Sequence, residues 1–150
     1  MSSPIPIVVC GKIPSHLALV PKTLAPEYDG KLYPNKDYCC QKPMLITSSV
    51  THVFYNVEVF VRTFPSMERK PAAVFMGGGF DQTEFEIAHS VPGASSIPWF
   101  RPSIFKPGNE HMLGKEAPPA KVIATAARSA IEERDADLRA GNAAGGIWYY

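Results

Sequence analysis

The stretch PAAVFMGGGFDQTE, residues 71–84, constrains the fold more than any other part of this chain. Its run Ala72-Ala73-Val74-Phe75-Met76 carries no polar side chain. That is the pattern of a strand covered on both faces, as strands in parallel sheets are. Gly77, Gly78 and Gly79 then remove every side chain where the strand ends, so the backbone either turns tightly or lets a ligand approach. Asp81 and Glu84 stand at capping-box spacing and predict a helix start, whose open amide N–H groups favour anions. In open α/β sheets ligands bind at this carboxyl end of the strands. The sequence therefore indicates where a site lies without giving its chemistry.

Other segments fit around this unit. Ile5-Pro6-Ile7-Val8-Val9-Cys10-Gly11 predicts a first buried strand ending in a glycine turn. Ser15 is placed to cap a short helix carrying Leu17, Val20 and Leu24, which Pro21 should interrupt. Over residues 50–61, Asn56 and Glu58 alternate with Val57, Val59 and Val61, the mark of a half-exposed strand. A helix is expected over residues 81–90 and a short proline-bounded strand over 96–102. After a loop over 103–118, Pro119 opens a longer helix with Val122, Ile123, Ala126, Ala127, Ala130, Ile131 and Leu138 on one face. Gly141 stops that helix. The closing Ile147-Trp148-Tyr149-Tyr150 predicts an edge strand, inside the fold or in a dimer contact. This order predicts one α/β domain over residues 1–150, a three-layer Rossmann-like or flavodoxin-like, mostly parallel sheet.

Composition narrows the partners. A net charge of +1, with no basic cluster among the aromatics, lacks the electrostatic footprint of a nucleic-acid binder. No apolar run reaches membrane-span length. The 3 cysteines are odd in number, and the adjacent Cys39 and Cys40 match neither a disulfide framework nor a zinc site, so a reducing, cytosolic setting is expected. His16, His52, His89 and His111 are scattered and predict no metal site. The remaining partner is a small molecule, and the oligomeric state is left open.

Each candidate site residue has a plainer role beside the functional one. Gly11 stands where a dinucleotide fold carries G-x-G-x-x-G, but the later glycines are missing and Pro14 occupies the turn. Gly77, Gly78 and Gly79 suit either a pocket wall or close packing. Asp81 and Glu84 could be acid, base or ribose ligand, yet capping accounts for both. Cys10 ends a strand, a place that can host a nucleophile, with His16 six residues on; a buried cysteine acting as a small hydrophobe is commoner. Arg101 and Lys106 could hold a phosphate or carboxylate above the triple glycine if their strands are neighbours. No catalytic residue emerges from the sequence.

The pieces IPIVVCGK, PAAVFMGGGFD, IPWFRP and GGIWYY together resemble small Rossmann-like, NAD(P)-binding-like proteins of filamentous fungi. The resemblance covers about two thirds of the chain and implies the fold. It also implies a cofactor, NAD(P), on Gly11 and on Gly77, Gly78 and Gly79, but no settled activity. Residues 30–62 depart from that pattern: a strand and helix should follow Asp29, but residues 31–40 are turn-like and carry no helical stripe, so an incomplete sheet is one expectation there. A retained intron would account for this, since Gly30-Lys31 can be encoded by GGTAAG, which contains a splice donor.

Overall fold

All residues of β1 (Ile5–Cys10) except Pro6 are buried, because this strand lies inside a parallel sheet with neighbours on both edges. On one edge it pairs with β2 (Tyr28–Asp29) and, from Ile7 onward, with β3 (Val50–Phe54). On the other edge it pairs with β4 (Ala73–Met76), then β5 (Pro98–Arg101) and β6 (Gly146–Tyr149) follow, and every pairing is parallel. The computed structural model describes residues 5–24, 28–29, 50–141 and 145–150. Because β2 and β3 lie along the same edge of β1, the sheet has five strand positions. Their order along the chain is the flavodoxin-like 2-1-3-4-5.

Alternation along the strands splits the core into two layers. Ile7, Val9, Phe75 and Phe100 face α1 (Pro14–Leu24), α4 (Ala120–Glu132) and α5 (Asp135–Ala140), with Val20, Ala127, Ile131 and Leu138 packed on them. Phe75 and Phe100 stack with centroids 4.5 Å apart and planes 4° from parallel. Val8, Cys10, Val74, Met76 and Trp99 face α2 (Val57–Thr63) and α3 (Gln82–His89).

The connections are not all of one hand. From β1 the chain steps to one side with α1 on the first face. Through α2 and α3 it steps to the other side with both helices on the second face, and these three crossovers share a hand. The fourth, from β5 to β6, steps as α3 does but carries α4 on the first face, so its hand is opposite. Crossovers in one sheet are right-handed in about 98% of cases, a rule rooted in helices packing straight back onto a twisted strand. Here residues 102–119 intervene, including two short 3-10 turns, Ser103–Phe105 and Glu110–Met112. They give the chain length to pass round the sheet end to the α1 side.

Four expectations need correction. Residues 50–61 do not form one strand: β3 ends at Phe54, and Asn56 caps α2 by accepting from Glu58 N at 2.7 Å and Val59 N at 3.4 Å. Asn is among the strongest N-caps, and helical spacing sends Phe60 and Phe64 into the core together. The sheet is therefore not short of this unit, since residues 50–63 supply both a strand and a helix. Residues 30–49, with Cys39 and Cys40, lie outside the described residues. Pro21 does not interrupt α1, which runs to Leu24. The last long helix breaks at residues 133–134, where Arg134 leaves helical geometry and its guanidinium sits 3.6 Å over the Trp148 ring.

Candidate functional site

At the carboxyl edge of the sheet β1 and β4 are neighbours, yet α1 and α3 leave them for opposite faces. This is the topological switch point, where open α/β sheets bind their ligands. The loops after the two strands touch there. Gly11 N donates to Phe54 O at 2.7 Å and Gly77 N to Cys10 O at 2.7 Å. A Cβ on Gly77 would lie 3.3 Å from Cys10 O, and one on Gly79 2.9 Å from Lys12 Cβ. Gly77 and Gly79 thus serve loop-to-loop packing, and neither has a positive φ. Gly78 is exposed and open, with its nearest neighbour Ile104 Cδ1 at 3.6 Å from such a Cβ. Among the described residues the amide N–H groups of Gly78 and Gly79 have no protein acceptor.

Lys12 crosses from the first loop to α3. Its ammonium lies 2.5 Å from Glu84 Oε1 and 4.9 Å from the Phe80 ring centroid. Glu84 Oε2 accepts from Asp81 N at 3.0 Å, and Asp81 Oδ1 accepts from Glu84 N at 2.8 Å. The capping box predicted from sequence is therefore complete and contributes about 1 kcal/mol. Asp81 is engaged as a cap, and nothing in its surroundings sets it up as acid or base.

Below the loops, Cys10, Gly11, His16, Gly77 and Tyr150 border a cavity of about 20 Å³, room for a water molecule. Cys10 and His16 thus line one space, but burial pushes the Cys10 thiol far up, opposite to what a nucleophile needs. Burial likewise raises the Tyr150 hydroxyl, against the opposing pull of Arg101. The unfolded thiol and phenol lose their protons near about pH 8.5 and about pH 10, while the folded groups keep theirs. Above about pH 8.5 the folded state then binds more protons than the unfolded one, so stability falls as pH rises. The urea midpoint is expected to rise from about pH 6 to 7, where the unfolded His89 binds more protons than the folded one, to level off near pH 8 and to drop from about pH 9 upward. In Cys10→Ala the drop should begin nearer the phenol's range. An onset unmoved by that substitution would show that the thiol is not what loses its proton.

Arg101 ends β5, beside β4 as its proposed role required, but its side chain turns under the first turn of α3 and is only 1% exposed. The guanidinium lies between two rings, 4.2 Å from the Phe85 centroid and 4.0 Å from that of Phe105. Nη1 donates to Gln82 Oε1 at 2.8 Å, while Nε and Nη2 are buried with no acceptor. Burial lowers its pKa, with Tyr149, Tyr150, Asp81 and Glu86 acting the other way. An arginine stays charged regardless, so this is a buried cation without an ion-pair partner. Lys106 is exposed on the following loop. His89 packs its ring on Phe85 and Trp99, and burial lowers its pKa.

The structure thus gathers Gly11, Gly77, Gly78, Gly79 and Asp81 along one edge, with Arg101 beneath α3 at its side. Sequence reasoning missed Lys12, Gln82, Phe85 and Phe105. Only long-range packing puts them there, although Gln82 and Phe85 stood at i and i+3 on a helix already predicted. Among the described residues no three His, Cys, Asp or Glu side chains stand together as a metal site, and no helix is long and apolar enough to cross a membrane.

The fold and the switch point define a doubly wound parallel α/β domain. No family model, curated protein or solved structure matches the chain.

Proposed function

We propose that this protein binds a nucleotide or another small anionic molecule at the carboxyl edge of its sheet. The observation that carries the reading is the switch point, where Gly11 and Gly77 pack backbone to backbone and the N–H groups of Gly78 and Gly79 have no acceptor among the described residues. The resemblance to small fungal Rossmann-like proteins supports NAD(P) as the first ligand to try, and a reductase or accessory enzyme of fungal metabolism as the setting. A cytosolic location fits the buried free thiol of Cys10.

A thermal melt with NADH, NADPH, FAD, ATP and coenzyme A in turn tests the reading. At ~100-fold excess over Kd a ligand adds ~2.7 kcal/mol, a shift of several degrees for a domain near this size. A shift with one nucleotide is expected; a cooperative melt that none of them moves would sink the proposal.

A second reading is a non-catalytic interaction protein or a degenerate fold. The narrow crevice favours it, because Lys12 ties the loop after β1 to α3 and the cavity bordered by Gly11 and Gly77 holds little more than a water. In its mis-spliced form this reading now concerns residues 30–49, since the chain from Val50 is built into the sheet. Transcript reads running unbroken through the Gly30-Lys31 codons would remove that form of it.

A further inference from the structure

The geometry points to the Nε–Nη2 edge of Arg101 as a two-pronged subsite for the oxyanion of the ligand, a phosphate or carboxylate group, with Phe105 as its cover. The inference rests on ligand binding at this edge of the sheet and says which charged group is read there. A guanidinium offers its donors in a fixed fork that matches two oxygens of a carboxylate or phosphate. In this protein the plane of the fork is set by Phe85 on one side and Phe105 on the other. Its rotation is set by Gln82, which takes Nη1 and leaves the adjacent Nε and Nη2 unpaired. Those two donors form the edge that binds an oxyanion side-on.

Two further observations favour an anion at this place. A buried charge without a partner is costly, and no carboxylate lies within ion-pair distance of Arg101 among the described residues. The cation also sits beneath the first turn of α3, through its contacts with Gln82 and Phe85. A helix N-terminus repels a cation and attracts an anion. Both mismatches disappear when an oxyanion enters. The fork is buried, so entry requires Phe105 to move, and Phe105 sits in the 3-10 turn Ser103–Phe105, not in the sheet.

The test uses the full chain and inorganic phosphate and acetate as probes, at constant ionic strength. The Nε–H resonance of Arg101, assigned as the signal missing from Arg101→Lys, should shift on titration with one or both anions in the wild type. Arg101→Lys keeps a positive charge but loses the fork, and should bind that anion at least tenfold more weakly by calorimetry. Gln82→Met keeps the guanidinium but frees its rotation, and should weaken binding several-fold; it also serves where Arg101→Lys fails to fold. An Nε–H signal unmoved by either anion would overturn the subsite. So would equal affinity in wild type and Arg101→Lys. If a nucleotide stabilises both of those proteins alike, binding at the glycine loops stands and only the Arg101 assignment falls.

Discussion

Replacing Trp99 with alanine is expected to cost about 3–5 kcal/mol, the range for large aromatic deletions from a core. Trp99 is fully buried on β5 and stands at the centre of the second layer. Its ring meets Phe60 at 5.6 Å, Phe85 at 5.5 Å and His89 at 5.5 Å, so one truncation opens a cavity against α2 and α3 together. The indole N–H also donates to Ala94 O at 2.7 Å, and alanine would leave that carbonyl only the long bond from Ile97 N at 3.5 Å. Domains of this kind have a total stability of about 5–15 kcal/mol, so the loss takes roughly a fifth of it at the least and nearly all of it at the low end. Urea denaturation of Trp99→Ala beside Trp99→Phe measures the effect. The phenylalanine variant should retain most of the packing and lose mainly the hydrogen bond. A loss below about 1 kcal/mol in the alanine variant would mean that the layer can collapse around the gap.

Gly145→Ala should be nearly as damaging, by a different route. A Cβ at this position would lie 2.1 Å from Ser95 O, an impossible contact, and unusually close to two more backbone atoms, Ser96 C at 3.0 Å and Ser95 C at 3.1 Å. Backbone cannot swing aside as a side chain can. Either β6 moves off β5 or the turn Ala94–Ser96 shifts, and that turn holds the Trp99 indole. Overpacking of this kind costs about 1–3 kcal/mol, and contact with backbone puts the expectation at the upper end. Gly146→Ala is the matched control. Nothing lies within 4 Å of a Cβ there, and its effect should stay within about 0.5 kcal/mol. Equal melting temperatures for the two variants would show that β6 does not seat on the turn as described.

The unit from β4 to α3 was legible because its signals are local. Ala73, Val74, Phe75 and Met76 are apolar without interruption, and Asp81 and Glu84 satisfy each other three residues apart. α2 was misread for the converse reason. Val57, Val59 and Val61 are β-branched and alternate with polar residues, so local propensity favours a strand. What decides the matter is Asn56 as a cap together with Phe60 against Phe54, six residues back, and against Trp99, which is far away in sequence. At the site, the glycines were visible, but not that Gly77 and Gly79 both pack against the loop after β1 while Gly78 faces Ile104 and Pro102. Arg101 was visible as a charge near a strand end. Its burial between Phe85 and Phe105 depends on the hand of a strand's alternation and on a loop's course, which no spacing rule supplies.

The reversed hand of the last crossover sets an order for the making of the protein on the ribosome. The second face draws its helices from residues 57–89 and can close against its strands as soon as β5 has emerged. The first face draws α4 and α5 from residues 120–140. At about 5–20 residues per second, residues 120–140 take roughly 1–4 s to synthesise. For that interval Ile7, Val9, Phe75 and Phe100 have only α1 above them, so a nascent chain presents one finished layer and one bare one. A chaperone that holds apolar surface has its opportunity on that face and in that window, ahead of any ligand that the finished edge receives.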